Sequence, residues 1–129
     1  MAIYVMDKSY RISDVGGASS AKVVVAGNST GYCALPSAAN AGKMLGVTVT
    51  SQTEAGRALS VRKAGTAEVT AAGVINVGDP VNIADNTGRV KAVSEASGTK
   101  VQCLGFAETP AAGAGDIIEV FISIHERTA

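Results

Sequence analysis

Apolar residues in this chain fall into short runs that alternate with polar positions or are rich in β-branched side chains. They read "KVVVA", "GYCALP", "KMLGVTVT", "RALSVR", "TAEVTA", "DPVNIA", "GRVKAV", "KVQCLGFA" and "DIIEVFISI". A period of two sends successive side chains to opposite faces of a strand, so each run predicts a β-strand with one face in a core. Turn formers divide them: "GNSTG", "AGKM", "KAGT", "VGDP", "ADNTGR" and "ASGTK", in which Gly supplies positive φ and Asn or Asp tolerates it. Short strands separated by such turns every eight to twelve residues or so predict an all-β fold, a small antiparallel β-barrel or sandwich. One segment argues for helix, because Ser51, Gln52, Thr53 and Glu54 form a capping-box pattern. Gly56 weakens that helix; a short helical turn at "SAANA" (37–41), after Pro36, stays open as an alternative.

The stretch at 104 to 120 repeats the stretch at 45 to 61 without a gap. Leu45/Leu104, Gly46/Gly105, Thr50/Thr109, Ala55/Ala114, Gly56/Gly115 and Val61/Val120 are identical at an offset of 59 residues. The repeat decides against the helix, since its second copy reads "TPAAGAGD", with Pro110, Gly113 and Gly115 where the helix would run. Two hairpin-like pseudo-repeats follow, each a strand, a loop and a return strand.

Residues 1–20 are different in character. They hold two of the three tyrosines and end in "GGASS", a Gly/Ser joint that reads as a flexible connection. The expected organisation is an extended N-terminal arm over residues 1–20 and a β-barrel domain over residues 21–129. Ile3, Tyr4, Val5, Tyr10, Arg11 and Ile12 are the candidate partner or subunit interface, because an extended segment pairs with a sheet edge while its Tyr residues anchor it. The competing reading makes this segment the first strand of its own barrel.

Composition sharpens the picture. A chain of 129 residues fits one domain or two lobes sharing a core. It has three Tyr, two Phe and no Trp, so its core is built from small aliphatic side chains, which predicts additional burial at an interface with a partner. Eleven basic and eleven acidic side chains cancel, which removes the electrostatic footprint of a nucleic-acid binder. The cancellation hides a split: residues 1–63 carry seven Lys/Arg against three Asp/Glu, and residues 64–129 carry four against eight. Solvated strands explain this, as do head-to-tail contacts between a basic and an acidic side. No run approaches the roughly 18 apolar residues of a membrane helix, and the N-terminus lacks a signal-peptide pattern, so a soluble protein made in a cytoplasm is expected. Cys33 and Cys103 lie inside apolar runs and read as small hydrophobes.

Candidate chemistry is sparse. Gly27-Asn28-Ser29-Thr30-Gly31 satisfies G-x-S-x-G, with Asp79, Asp85 or Asp116 and then His125 following in hydrolase order. That elbow needs a helix after the serine, whereas "YCALP" follows, so a turn between strands explains the same residues. Gly42-Lys43 lacks the Ser or Thr of a phosphate loop, and Gly113-Ala114-Gly115 lacks the third glycine of a dinucleotide motif. One His and two distant Cys assemble no zinc set, so neither cofactor nor metal is expected.

The phrases "LGVTVTSQTEAGRALSVRKAGTAEV", "GDPVNIADNTGRVKAV" and "LGFAETPAAGAGDIIEVFI" resemble the small β-rich head-decoration, or capsid cement, proteins of tailed bacteriophages, over about residues 22 to 124. The resemblance implies a non-enzymatic virion protein on the outer capsid surface that binds the major capsid protein and clamps neighbouring shell subunits. It implies self-association as a homotrimer, with a dimer as the variant, and no nucleic-acid or membrane partner. Two other classes stand beside it: a carbohydrate- or receptor-binding β module displayed on a virion, and a small serine hydrolase using Ser29.

Overall fold

The computed structural model describes residues 5–129, and all regular structure among them is β. The strands are β1 (Met6–Ile12), β2 (Val23–Ala26), β3 (Tyr32–Ala34), β4 (Met44–Thr48), β5 (Ala58–Thr70), β6 (Pro80–Ile83), β7 (Val90–Ala92), β8 (Lys100–Ala107) and β9 (Ile117–Thr128). They form one sheet in the order β1-β3-β2-β4-β5-β9-β8-β6-β7, and β1 also pairs with β5. That extra pairing closes β1, β3, β2, β4 and the first half of β5 into a barrel, which removes open edges. The second half of β5 then starts another circuit through β9, β8, β6 and β7, and a parallel bridge between Ala71 and Val90 draws its ends together. At 13 residues β5 is more than twice the usual strand length, because it is a stave of both barrels.

The two barrels repeat one plan. In the first, Tyr10 faces Leu59 and Ile12 faces Cys33; in the second, Val69 faces Ile118 and Ala71 faces Val90. Gly56 N–H donates to Ile12 O in the first and Gly115 N–H to Ala71 O in the second. Thr50 Oγ1 accepts from Ser60 N–H, and Thr109 Oγ1 accepts from Glu119 N–H. The step in register at Val24/Val25 recurs at Val81/Asn82. The repeat legible at 45–61 and 104–120 is therefore the best-preserved part of a duplication that runs through the described chain, with β1 matched by the second half of β5. Gly46 and Gly105 show why those two phrases kept their glycines. A Cβ on Gly46 would collide with the Arg62 carbonyl, and one on Gly105 with the Phe121 carbonyl, so the backbones cross at a distance only Gly permits.

Each barrel has its own filling. Tyr10, Ile12, Val24, Cys33, Leu59 and Val61 fill the first. Val69, Ile75, Val81, Val90, Leu104, Ile118 and Val120 fill the second. Val23, Met44 and Val47 belong to this second cluster although they stand on β2 and β4. They point out of the first barrel, opposite Val24 and Leu45, and weld it to the second. Main-chain bonds tighten the weld: Val23 N–H donates to Gly88 O, and Thr70 N–H to Ala21 O.

Three expectations need correction. Residues 6–12 do not stand out as an arm; they are a barrel stave, because their main chain pairs with β5 from Met6 to Arg11 while Tyr10 and Ile12 turn inward. The "GGASS" joint is pinned as well, through the Ala18–Gln52 bridge. "KAGT" is not a turn: β5 runs straight through it, since Gly65 takes φ 91° inside the strand and ladder bonds with β1, β4 and β9 hold the chain on both sides of it. "SAANA" forms bends and a turn, with no helix.

Candidate docking faces

The barrels leave a few outward-facing groups that their own core does not use. On β9 the inward set is Ile118, Val120 and Ile122, while Ile117 and Phe121 point outward, about half exposed at 53% and 47%. Phe106 faces Phe121 across β8 and β9 and stacks on His125, ring centroids 5.4 Å apart. The Arg127 guanidinium lies over the Phe106 ring, 5.9 Å from its centroid. Both phenylalanines of the chain and its one histidine thus lie on the outer face of β8–β9 and not in the core. Around them Glu68 stands directly opposite Glu119, and Glu108 donates its N–H to Glu119 O. Like charges facing each other across strands repel, so this face spends stability to display carboxylates beside apolar groups. A groove of about 400 Å³ runs along it, lined by Val5, Arg62, Thr66, Glu68, Glu108 and Glu119 among others.

Duplication supplies a control for that face. The first-barrel positions matching Glu68, Glu108, Ile117, Glu119 and Phe121 are Ser9, Val49, Ala58, Ser60 and Arg62, which carry no carboxylate. Charge therefore divides by barrel: the boundary lies inside β5, so residues 1–64 carry seven basic and three acidic side chains, and residues 65–129 four and eight. Among the described residues, Arg62 binds Asp7 at 2.9 Å, Arg57 binds Glu54, Arg89 binds Asp85 and Lys91 binds Glu95. The Asp7 carboxylate raises the pKa of Arg62 above its ordinary value through their hydrogen bond, against a smaller effect of burial. Lys63 Nζ donates to Tyr10 OH and Leu45 O, and both Lys8 and Lys63 lie over the Tyr10 ring. The first barrel thus carries lysines where the second has Ala67 and Ile122, which are buried against Val23, Met44 and Val47.

Of the interface candidates, Ile3 and Tyr4 lie outside the described residues. Val5 is 44% exposed at the rim of the acidic groove. Arg11 is exposed on β1, beside a second groove lined by Ser9, Thr30 and Tyr32. Tyr10 and Ile12 are buried in the first barrel, so their side chains serve its core.

The catalytic candidates stay apart. Ser29 sits in the β2–β3 turn, its carbonyl accepting from Tyr32 N–H. Among the described residues no hydrogen bond joins it to His125 or to Asp79, Asp85 or Asp116. His125 Nδ1 donates to Ser123 O at 2.7 Å, Asp85 serves Thr87 and Arg89, and the Asp116 carboxylate accepts from Ala112 and Gly113 N–H. Among the described residues no group of three His, Cys, Asp or Glu could hold a metal ion. Cys33 and Cys103 are free and buried. Burial, with Asp14 nearby, pushes the Cys33 thiol up to about 11, and burial raises Cys103 as well.

Two barrels are welded into one body with their spare apolar and charged groups on the outside, and the family comparison makes that body a structural component of a phage virion that attaches to the capsid. The chain belongs to the phage cement protein family, whose model matches residues 8–122. The match begins inside β1, so the family's fold takes in a segment that the resemblance over 22 to 124 left outside. The head fiber gp8.5 N base of bacteriophage phi29 has a similar crystal structure, with a TM-score of 0.64 over 93% of this chain and 95% of that chain. At 17% identity it speaks for the fold. No curated protein matches the chain.

Proposed function

We propose that this protein is a non-enzymatic cement subunit that sits on the outer surface of the capsid, binds the major capsid protein and bridges neighbouring shell subunits, acting as a homotrimer. The observation that carries this reading is the division of labour in the apolar residues. Aliphatic side chains, joined by Tyr10 in the first, fill the barrels, while Ile117, Phe121 and Val5 stay outside, where they serve partners. Each copy contributes a modest contact, and many copies on one shell add theirs. Ile3, Tyr4 and Val5 are the proposed shell contact, because Val5 stands half exposed at the rim of the groove along the β8–β9 face. Arg11 is left for contact with a neighbouring copy.

Deletion of residues 1–4 tests the shell contact, since it removes none of the described strand pairings. Purified deletion variant and full chain are sedimented with expanded shells. The expected result is weakened binding with an unchanged β circular dichroism spectrum; equal binding removes the N-terminal segment from the contact. Cryo-electron microscopy of decorated shells tests the trimer, which requires added density at three-fold positions, whereas density on two-fold positions means a dimer.

A further inference from the structure

The acidic, apolar outer face of the second barrel has a complement on the chain itself. Ile117, Glu119 and Phe121 form a ridge along β9, with Glu68 directly across from Glu119. On the first barrel, an open groove of about 490 Å³ runs between β1 and β3, and among the described residues Arg11 is the only charged one lining it. Arg11 makes no ion pair among the described residues, and Tyr32 is half-buried beside it. The barrels carry surpluses of four charges of opposite sign. We infer that copies of this chain join head to tail, the β9 ridge of one copy seating in the β1–β3 groove of the next, with Glu119 meeting Arg11 and Phe121 covered against Tyr32. The contact is heterologous, so every copy offers one ridge and one groove and the contact repeats around a closed assembly. Two observations favour a second copy over a shell subunit as occupant. The charge complement lies on this same chain, and the ridge is absent at the matching positions of the first barrel, where Ala58, Ser60 and Arg62 stand. Docking also relieves the facing Glu68 and Glu119 carboxylates by bringing a cation between them.

This deepens the reading of self-association above, and its test separates the two. The full-length chain and the variants Glu119→Lys, Phe121→Ser and Arg11→Glu are compared by sedimentation velocity over a range of concentrations. The expected result is a roughly tenfold or greater weakening of self-association for Glu119→Lys and Arg11→Glu, and recovery to within roughly threefold in the double charge-swap. Glu119→Lys carries a further signature: it removes the repulsion from Glu68, so the thermal midpoint of the subunit holds or rises while association falls, which misfolding cannot mimic. Unchanged mass for Glu119→Lys and Phe121→Ser, or a double variant weaker than either single one, overturns the inference. A wild-type monomer that still binds shells overturns it too and leaves the capsid reading intact; an Arg11–Glu119-dependent oligomer that ignores shells supports it and removes the capsid reading.

Discussion

At the scale of single residues, close contacts and buried charges set what can change. Gly105→Ala places a methyl against the Phe121 carbonyl, and the β8–β9 crossing must part to accept it. A loss of about 1–3 kcal/mol is expected in urea unfolding, and Gly46→Ala should behave alike against Arg62. Gly113→Ala is the control, because nothing lies within 4 Å of its added Cβ and its φ is ordinary; a similar loss there would remove the explanation by contact. Glu95 gives a pH dependence. Burial works against its ionisation, but hydrogen bonds from Lys91 and Asn82 outweigh that and hold its carboxyl below the usual range. Burial opposes the ionisation of Asp85 in the same way, and Thr87 and Arg89 overcome it. Groups with depressed folded-state pKa values contribute stability above their unfolded values, near 4, and lose it as pH falls through the folded ones. Thermal midpoints should therefore stay level near neutrality and drop below about pH 4.5. Glu95→Gln should melt lower at pH 7 yet show a shallower acid limb, and parallel limbs would count against this assignment. Cys33, with its thiol raised to about 11, should resist Ellman's reagent at pH 8 until the protein unfolds; fast labelling of the native chain would show the first barrel open.

At the scale of elements, β1 shows what the sequence could and could not say. Its alternation was visible: Lys8, Tyr10 and Ile12 share one parity, and Asp7, Ser9 and Arg11 the other. Whether Tyr10 and Ile12 face a core or a partner depends on pairing with β5, some fifty residues away, and no local pattern encodes a register that long-range. The same limit split β5 at "KAGT", since a Gly that ends a strand and a Gly that lets one strand pass between barrels look identical in sequence. "KVQCLGFA" was legible as a strand to its ends. The docking ridge was not, because "DIIEVFISI" carries apolar residues on both parities; Glu119 and Ser123, sharing their parity with Ile117 and Phe121, are what marks that side as outward. A deletion experiment follows from β1. Removing residues 1–12 takes away two core side chains, at about 2–5 kcal/mol each, together with the pairing that closes the first barrel. Against a total stability of about 5–15 kcal/mol, that variant should lose its β circular dichroism. A folded variant lacking residues 1–12 would return the segment to the status of an arm.

At the scale of the whole molecule, the shared strand turns two barrels into one mechanical unit. A tether of flexible residues would let one barrel swing while the other held the shell, and load would pass through the linker. Here β5 carries the main chain from one barrel to the other inside a ladder, and Val23, Met44 and Val47 of the first barrel fill the core of the second. Neither barrel can open without exposing that common cluster, so the two should unfold together. Calorimetry is expected to show a single transition with equal calorimetric and van't Hoff enthalpies, although the two halves are related by duplication. Two resolved transitions would mean that the weld is weaker than either barrel, and a clamp between shell subunits would then fail at its middle. Met44→Ala probes the point directly: it removes a side chain from the weld and none from the first barrel's own filling, so about 2–5 kcal/mol should be lost from one common transition. A loss confined to the second barrel, with the first melting unchanged, would separate the two units and with them the case for a rigid cement.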